Sequence, residues 1–227
     1  MKVMVLGPNG MLGRAVVRFL STDENITVLP ASREYIDLVD STLQTLMDSV
    51  HAINPDFIVN CAGVIKQRQN VPLYQMVQVN TVVPLWLEDI SKKLGCKLIH
   101  FTTDCVYDGR VGSYNEMSEH TARDTYGISK SLGEPRKSIT IRSSIIGEES
   151  VNKMSLLDVV RSHSGNTMFG YTNHIWNGMT CLEAARLIKS IICTPSLQYE
   201  GVRHFYSNNV SKYDLISIIN EVYSLGI

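Results

Sequence analysis

The feature that most constrains the fold stands at the N-terminus. An apolar run, Lys2 to Leu6, leads straight into Gly7-Pro8-Asn9-Gly10-Met11-Leu12-Gly13, and a stretch of helical spacing, Met11 to Leu20, follows. Glycines spaced G-x-x-G-x-x-G between a strand and a helix meet three demands together: a tight turn, close approach of a pyrophosphate to the backbone, and close packing of helix on strand. The helix N-terminus adds free N–H groups and the positive end of its dipole. Three glycines alone are a weak signal. Between a clear strand and a clear helix they predict a dinucleotide-binding turn, with Gly7, Gly10 and Gly13 as cofactor positions.

The rest of the chain repeats the strand–helix rhythm. Ile26 to Leu29, Asp56 to Asn60, Lys97 to Phe101 and Ser138 to Ile141 are short, apolar and rich in Val and Ile, as strands covered on both faces are. Leu43 to His51 has helical spacing, and from Leu73 to Leu94 the apolar residues fall on one stripe, with Pro84 expected to bend that helix. Such alternation implies an α/β fold, a Rossmann-type doubly wound parallel sheet spanning residues 1–146. After Ile141 the rhythm loosens. Leu156 to Val160, Cys181 to Ile192 and Lys212 to Tyr223 read as helices and Gly201 to Tyr206 as a strand. Residues 147–227 are expected to hold a small C-terminal substrate lobe, about 147–180, over the carboxyl edge of the sheet, followed by elements returning to that sheet.

Composition narrows the function classes. The 227 residues carry 21 basic and 22 acidic side chains, a net charge of -1, which removes the electrostatic reason to expect nucleic acid or an anionic membrane as partner. No apolar stretch reaches the roughly 18 residues of a membrane span, and the N-terminal run is too short for a signal peptide, so a soluble, cytoplasmic protein is expected. The five cysteines form no C-x-x-C pair, which favours reduced, mostly buried thiols. His163 and His174 lack ligand-spaced partners, so no metal site is expected. Helical stripes offer surfaces for a homodimer, although a stripe is more often core.

The second strand bears on cofactor choice. NAD-preferring sites place an acid at its end to hold the ribose 2′-hydroxyl. Here Leu29-Pro30-Ala31-Ser32-Arg33 puts Ser32 and Arg33 where a 2′-phosphate would lie, favouring NADP(H) over NAD(H). The third strand ends in Asn60-Cys61-Ala62-Gly63, small residues that let a cofactor lie close to the backbone.

Two segments carry candidate chemistry. Tyr126-Gly127-Ile128-Ser129-Lys130 sets a phenol and an ammonium four residues apart on one helix face. A phenol normally titrates near pH 10, and a neighbouring ammonium is expected to lower that value enough for acid–base work. At the end of the fourth strand stands Phe101-Thr102-Thr103-Asp104-Cys105-Val106-Tyr107-Asp108-Gly109, whose hydroxyl would reach a substrate carbonyl at the carboxyl edge.

In order and spacing, GPNGMLG, NCAG, TTDCVYDG, YGISKSLGE and IRSSIIGEE resemble the extended short-chain dehydrogenase/reductases, and within them the dTDP-4-dehydrorhamnose reductase group. The resemblance covers nearly the whole chain. It implies Thr103, Tyr126 and Lys130 as the catalytic set, with Asp104 beside the hydroxyl. It implies Met11 and Leu12 in the cofactor loop, Asp37 and Leu38 bordering the adenine, Cys61, Ala62, Gly63, Thr102, Tyr126 and Lys130 along the cofactor, and Asn80 supporting the site from the long helix. Thr103, Asp104, Val106, Tyr107, Trp176 and Asn177 become substrate-side candidates, with Trp176 equally readable as lobe core. The activity implied is NADPH-dependent reduction of a nucleotide-activated 4-keto-6-deoxy sugar for surface polysaccharide or deoxysugar synthesis. A sugar-nucleotide epimerase with tightly held NAD and a non-catalytic regulatory homologue are the alternatives. Members of the group generally run on past the helix that here closes at Ser224-Leu225-Gly226-Ile227, and a shorter C-terminus would open one side of the lobe.

Overall fold

The computed structural model describes residues 1–65, 71–150 and 153–227. Six parallel strands form the central sheet: β1 (Lys2–Leu6), β2 (Thr27–Ala31), β3 (Phe57–Asn60), β4 (Lys97–Thr102), β5 (Ile139–Arg142) and, out of sequence, β9 (Gly201–His204). Their order is β2-β1-β3-β4-β5-β9, so the chain leaves β1 toward one edge and returns across it to the other. That reversal creates the crevice at the carboxyl ends where ligands of open α/β sheets bind. Strand β2 begins one residue later than expected and runs through Pro30. It lies at the sheet edge, where a missing N–H need not face a partner strand.

Helices cover both faces. On one, α1 (Met11–Leu20) and α7 (Cys181–Cys193) pack together: Leu12, Val16 and Leu20 meet Ala184, Ala185, Ile188 and Ile191 above Val3, Val5, Val59, Ile99 and Ile141. On the other, α2 (Leu43–Ile53) and α4 (Val83–Leu94) bury Leu46, Val50, Val83, Leu87 and Ile90 against Met4, Leu6, Ile58 and Leu98. Strands β1, β3 and β4 thus send alternate side chains to two apolar layers, which is why they read as largely apolar runs.

The long helix expected from Leu73 to Leu94 is three pieces: α3 (Leu73–Val77), a π-helical turn (Gln78–Val82), and α4. Pro84 has no N–H for the Asn80 carbonyl four residues back, and the Val83 N–H bonds to Gln78 instead. The widened turn lets α5 (Thr125–Leu132) close in, with Gly133 so near the Asn80 carbonyl oxygen that a Cβ would stand 2.0 Å from it.

Beyond β5 the chain makes β6 (Ile145–Ile146), α6 (Leu156–Ser162), β7 (Ile175–Trp176) and β8 (Met179–Thr180), and it ends in β10 (Val210–Ser211) and α8 (Lys212–Tyr223). Strand β6 pairs with β8, and β7 with β10. Helix α7 and strand β9 join the main sheet. Helix α8 packs instead on α6, where Ile216 and Ile219 meet Leu157 and Val160. Among the described residues no helix is long and apolar enough to cross a membrane. None of the five cysteines is in a disulfide; Cys181 is buried, Cys61, Cys96 and Cys105 half-buried, and Cys193 exposed, so fewer are fully buried than the sequence suggested.

Candidate active site

Past the carboxyl ends of β1, β3 and β4 lies a cavity of about 650 Å³. Its wall is built first from the glycine turn. Gly7 has a φ of +70°, and a Cβ there would sit 2.8 Å from the Ala62 Cα. At Gly13 a Cβ would stand 2.1 Å from the Gly7 carbonyl oxygen, so only glycine lets α1 start this close under β1. Gly10 caps α1 without a side-chain hydrogen bond, and no acid stands in the first turn. The helix end therefore faces the cavity with backbone N–H groups and an uncompensated positive dipole.

Next along the wall come Ala62 and Gly63, set by two asparagines. Asn60, fully buried at the end of β3, accepts the Ala62 N–H at 3.1 Å. Asn80, fully buried in the π turn, accepts the Val64 N–H and donates to the Val64 carbonyl oxygen, both at 2.8 Å, and donates to the Ser129 hydroxyl at 3.1 Å. Asn80 thus clamps the segment after Gly63 to α5.

The side chains expected to react follow. Asp124 caps α5 by accepting the Gly127 N–H, which sets Tyr126 and Lys130 facing the turn after β4. Thr102, Thr103, Cys105, Tyr126 and Lys130 all line the cavity. The Thr103 hydroxyl accepts the Cys105 N–H at 3.1 Å and lies 3.4 Å from Asp104 Oδ1. Asp104 itself is off the wall, and burial pushes its carboxyl above the ordinary range.

Electrostatically the pair departs from expectation. Lys130 is buried, and its Nζ donates to the Phe101 carbonyl oxygen at 3.4 Å. Burial lowers its pKa to about 8, while Glu134 opposes that shift. The Tyr126 phenol is pushed up, first by burial, with the negative groups of Cys105, Asp104 and Asp124 adding to it and the Thr103 hydroxyl opposing. Spacing put ammonium and phenol on one face, but the ammonium is spent on a backbone carbonyl and does not depress the phenol here.

The cavity also takes in Arg33, Asp37 and Leu38 at its far end, but not Ser32. The Ser32 carbonyl oxygen instead turns the chain by accepting the Tyr35 and Ile36 N–H groups. Arg33 Nε donates to Asp37 Oδ2 at 2.7 Å, so the two expected adenosine-end residues are already paired with each other. Of the substrate-side candidates, Trp176 lines the cavity and donates its indole N–H to the Ser144 hydroxyl at 2.8 Å, while its ring closes on Gly178. Val106 is fully buried, Tyr107 turns its hydroxyl to Arg142, and neither these nor Asn177 lines the cavity. Sequence reasoning missed Ser143, Ser144, Glu149, Met154, Ser155 and Leu156, which close the lobe side. The Ser155-x-x-Asp158 helix start was the signal for the last of these, since Ser155 caps α6 through the Asp158 N–H. Among the described residues no cluster of ligating side chains could hold a metal.

A doubly wound sheet with a glycine turn after β1, and a hydroxyl, phenol and ammonium converging past β4, defines a dinucleotide-binding domain of the extended short-chain dehydrogenase/reductase type. More particularly, the chain belongs to the family described as the RmlD substrate binding domain, whose model matches residues 1–146. It is 31% identical over 137 residues to dTDP-4-dehydrorhamnose reductase of Burkholderia thailandensis, a match covering 59% of this chain and 44% of the relative. To the dTDP-4-dehydrorhamnose reductase of Aggregatibacter actinomycetemcomitans it is 24% identical over 234 residues, 97% of this chain and 79% of that one. It is also 29% identical over 142 residues to methionine adenosyltransferase 2 subunit beta of Mus musculus, covering 59% and 41%. The chain therefore spans less than half the length of the first and last of these relatives. The crystal structure of dTDP-4-dehydrorhamnose reductase from Bacillus anthracis in complex with NADP shares the fold, with a TM-score of 0.85 at 19% identity over 100% of this chain and 82% of that one.

Proposed function

We propose that this chain is a cytoplasmic, NADPH-dependent reductase of a nucleotide-activated 4-keto-6-deoxy sugar, serving deoxysugar or surface polysaccharide synthesis. The observation that carries the reading is that Thr103, Tyr126 and Lys130 line the same cavity as the glycine turn. Membership of the family and the reductase names of its relatives support it.

The residues present fit a dinucleotide. The Gly7–Gly13 cradle would be filled by any Cβ at Gly7 or Gly13, and α1 opens onto it uncapped by a side chain. Thr102 lines the cavity, while its hydroxyl is itself buried and has no hydrogen-bond partner among the described residues. Met11 and Leu12 would flank the pyrophosphate, Cys61, Ala62 and Gly63 the dinucleotide's length, Asp37 and Leu38 its adenine, and Arg33 a 2′-phosphate.

When bound, the nicotinamide supplies a hydride to the keto carbon. The protein's part is placement and a proton. Thr103 would hold the keto oxygen by turning toward it the one hydroxyl proton it otherwise gives to Asp104, 3.4 Å away. Tyr126, which burial keeps protonated, would give its proton to that oxygen as it gains charge, leaving a secondary alcohol. Lys130, close to its own titration point, would hold the nicotinamide ribose and help restore the phenol's proton. Trp176 and the Ser143–Ser144 turn would face the sugar.

The test is NADPH consumption with a dTDP-linked 4-keto-6-deoxy sugar, wild type beside Tyr126→Phe. Turnover in the wild type should fall by about a hundredfold or more in the variant, with NADPH binding unchanged. Equal rates would overturn the assignment. The likeness to a methionine adenosyltransferase subunit favours a non-catalytic second reading, which NADPH binding without turnover on dTDP-, UDP-, GDP- or CDP-linked sugars would support. Purified protein holding NAD, with no net redox, would point to an epimerase.

A further inference from the structure

A second polar assembly lies outside the cavity and centres on Arg142, the last residue of β5, only 3% exposed. A guanidinium carries five N–H donors and no acceptor, and here every donor is used. Nε donates to Glu134 Oε1 at 2.9 Å. Nη2 donates to Glu134 Oε2 at 2.5 Å and to His120 Nε2 at 2.9 Å. Nη1 donates to the Tyr107 hydroxyl at 2.6 Å and to His204 Nε2 at 2.8 Å.

Because arginine can only donate, both imidazole Nε2 atoms must accept. Both rings are therefore neutral, with their protons on Nδ1. His120 Nδ1 has the Ser131 hydroxyl at 2.5 Å, and His204 has the Tyr114 backbone. The Tyr107 hydroxyl, having accepted from Arg142, donates to the Asn115 carbonyl oxygen at 3.0 Å. Its ring stacks on Tyr114 with centroids 4.3 Å apart.

This guanidinium joins the parts that carry the site. Tyr107 lies four residues after Thr103, Glu134 four after Lys130, and His120 six before Tyr126. The turn that begins at Thr103 also rests on α5 directly, since a Cβ on Gly127 would stand 2.4 Å from the Cys105 carbonyl oxygen. We propose that Arg142, held by neutral His120 and His204, is the positioning residue that sets Thr103 against Tyr126 and Lys130, and that a proton on either imidazole releases it. The consequence for turnover rests on the reductase reading; the assembly itself does not.

Protonating either Nε2 removes an Arg142 hydrogen bond and sets an imidazolium beside the guanidinium. The groups facing the pair come from every packed element. Glu134 after α5 favours the imidazolium at both rings, and Glu116, which accepts the His204 amide at 2.9 Å, favours it at His204. Arg142 opposes it at both rings, Arg136 and His204 oppose it at His120, and Arg203 acts on Glu116. Burial is the largest influence, and both imidazoles are lowered from their ordinary value of 6.5. Release therefore belongs to the acid side of that value.

The experiment compares wild type with a His120→Gln/His204→Gln double variant, whose amide oxygens accept where Nε2 did but do not titrate. Wild-type kcat should fall by about tenfold between pH 8 and pH 5, whereas the double variant, equal to wild type at pH 8 within about twofold, should keep most of its rate. An identical acid limb in both would overturn the proposal. Nitrogen-15 imidazole spectra of the wild type provide a readout that needs neither activity nor the variant's folding. At pH 8 both rings must be neutral Nδ1–H tautomers, and the Tyr107–Tyr114 near-UV circular dichroism must change at the pH where they titrate. An Nε2–H tautomer, or rings that titrate with no change in that signal, would overturn the proposal even if no sugar nucleotide is turned over.

Discussion

The Asn80 side chain closes a ring on the backbone of Val64, accepting its N–H and donating to its carbonyl oxygen, each at 2.8 Å. One amide thereby satisfies both polar groups of a buried residue that follows the cofactor loop, and its remaining donor reaches Ser129 on α5. Asn80→Ala would leave the two backbone groups unpartnered in the interior, at about 1–3 kcal/mol each. Thermal melting should show a loss of roughly 10 °C, at about 2–4 °C per kcal/mol for a chain of this size. Asn80→Asp should be nearly as damaging, because a carboxylate cannot donate to the Val64 carbonyl.

Lys130 places function and stability in opposition. Its pKa is lowered from 10.5 to about 8, first by burial, so below pH 8 the fold holds an ammonium that the unfolded chain would rather solvate. Between those two values the unfolded chain binds the proton more strongly, and stability contributed by this group rises with pH. Lys130→Met should therefore melt higher than wild type at pH 7, with the gap closing by pH 10, while turnover falls sharply. A lower melting temperature at pH 7 would contradict the reading.

At the end of the cavity proposed for adenosine, Arg33 and Asp37 neutralise each other in an exposed pair, and each holds the other toward its charged form. A 2′-phosphate would have to compete with Asp37 for the guanidinium. Arg33→Ala should cost NADPH about tenfold or more in affinity, the scale of one charged hydrogen bond, and leave NADH little changed. Asp37→Asn should raise the preference for NADPH over NADH. Fluorescence titration of both nucleotides against the three proteins measures this directly.

Gly13→Ala is the sharpest steric test. Its Cβ would meet the Gly7 carbonyl oxygen at 2.1 Å, a backbone atom that no rotamer can move aside. The helix must shift off the turn, with a stability loss of about 1–3 kcal/mol and loss of nucleotide binding. Circular dichroism with titration separates the two effects.

Much of the fold was legible because burial leaves a period in the sequence. Helices α1 and α8 begin and end where the helical character of their sequences places them, at Met11–Leu20 and Lys212–Tyr223. The strands are displaced by a residue or two at most, since a run of Val and Ile marks a strand's middle better than its ends. The glycine turn and the Tyr126–Lys130 pair were legible because their meaning is local. What was not legible is where a side chain goes after it leaves the backbone. Lys130 and Tyr126 share a face as spacing requires, yet the Phe101 carbonyl takes the ammonium. Tyr107 stands in the right loop for a substrate contact, yet Arg142, from a distant strand, takes its hydroxyl. The partners of Arg142 lie at 107, 120, 134 and 204, and no spacing rule connects them.

The packing of α1 on α7 sets an order of events in the life of the chain. Helix α1 carries Leu12, Val16 and Leu20, and their cover, Ala184 to Ile192, is synthesised about 160 residues later. Throughout that interval the apolar ridge of α1 lacks the cover that α7 gives it in the complete fold. A polypeptide stopped at residue 146, where the family match ends, should collect in inclusion bodies or on trigger-type chaperones rather than accumulate as a nucleotide-binding unit.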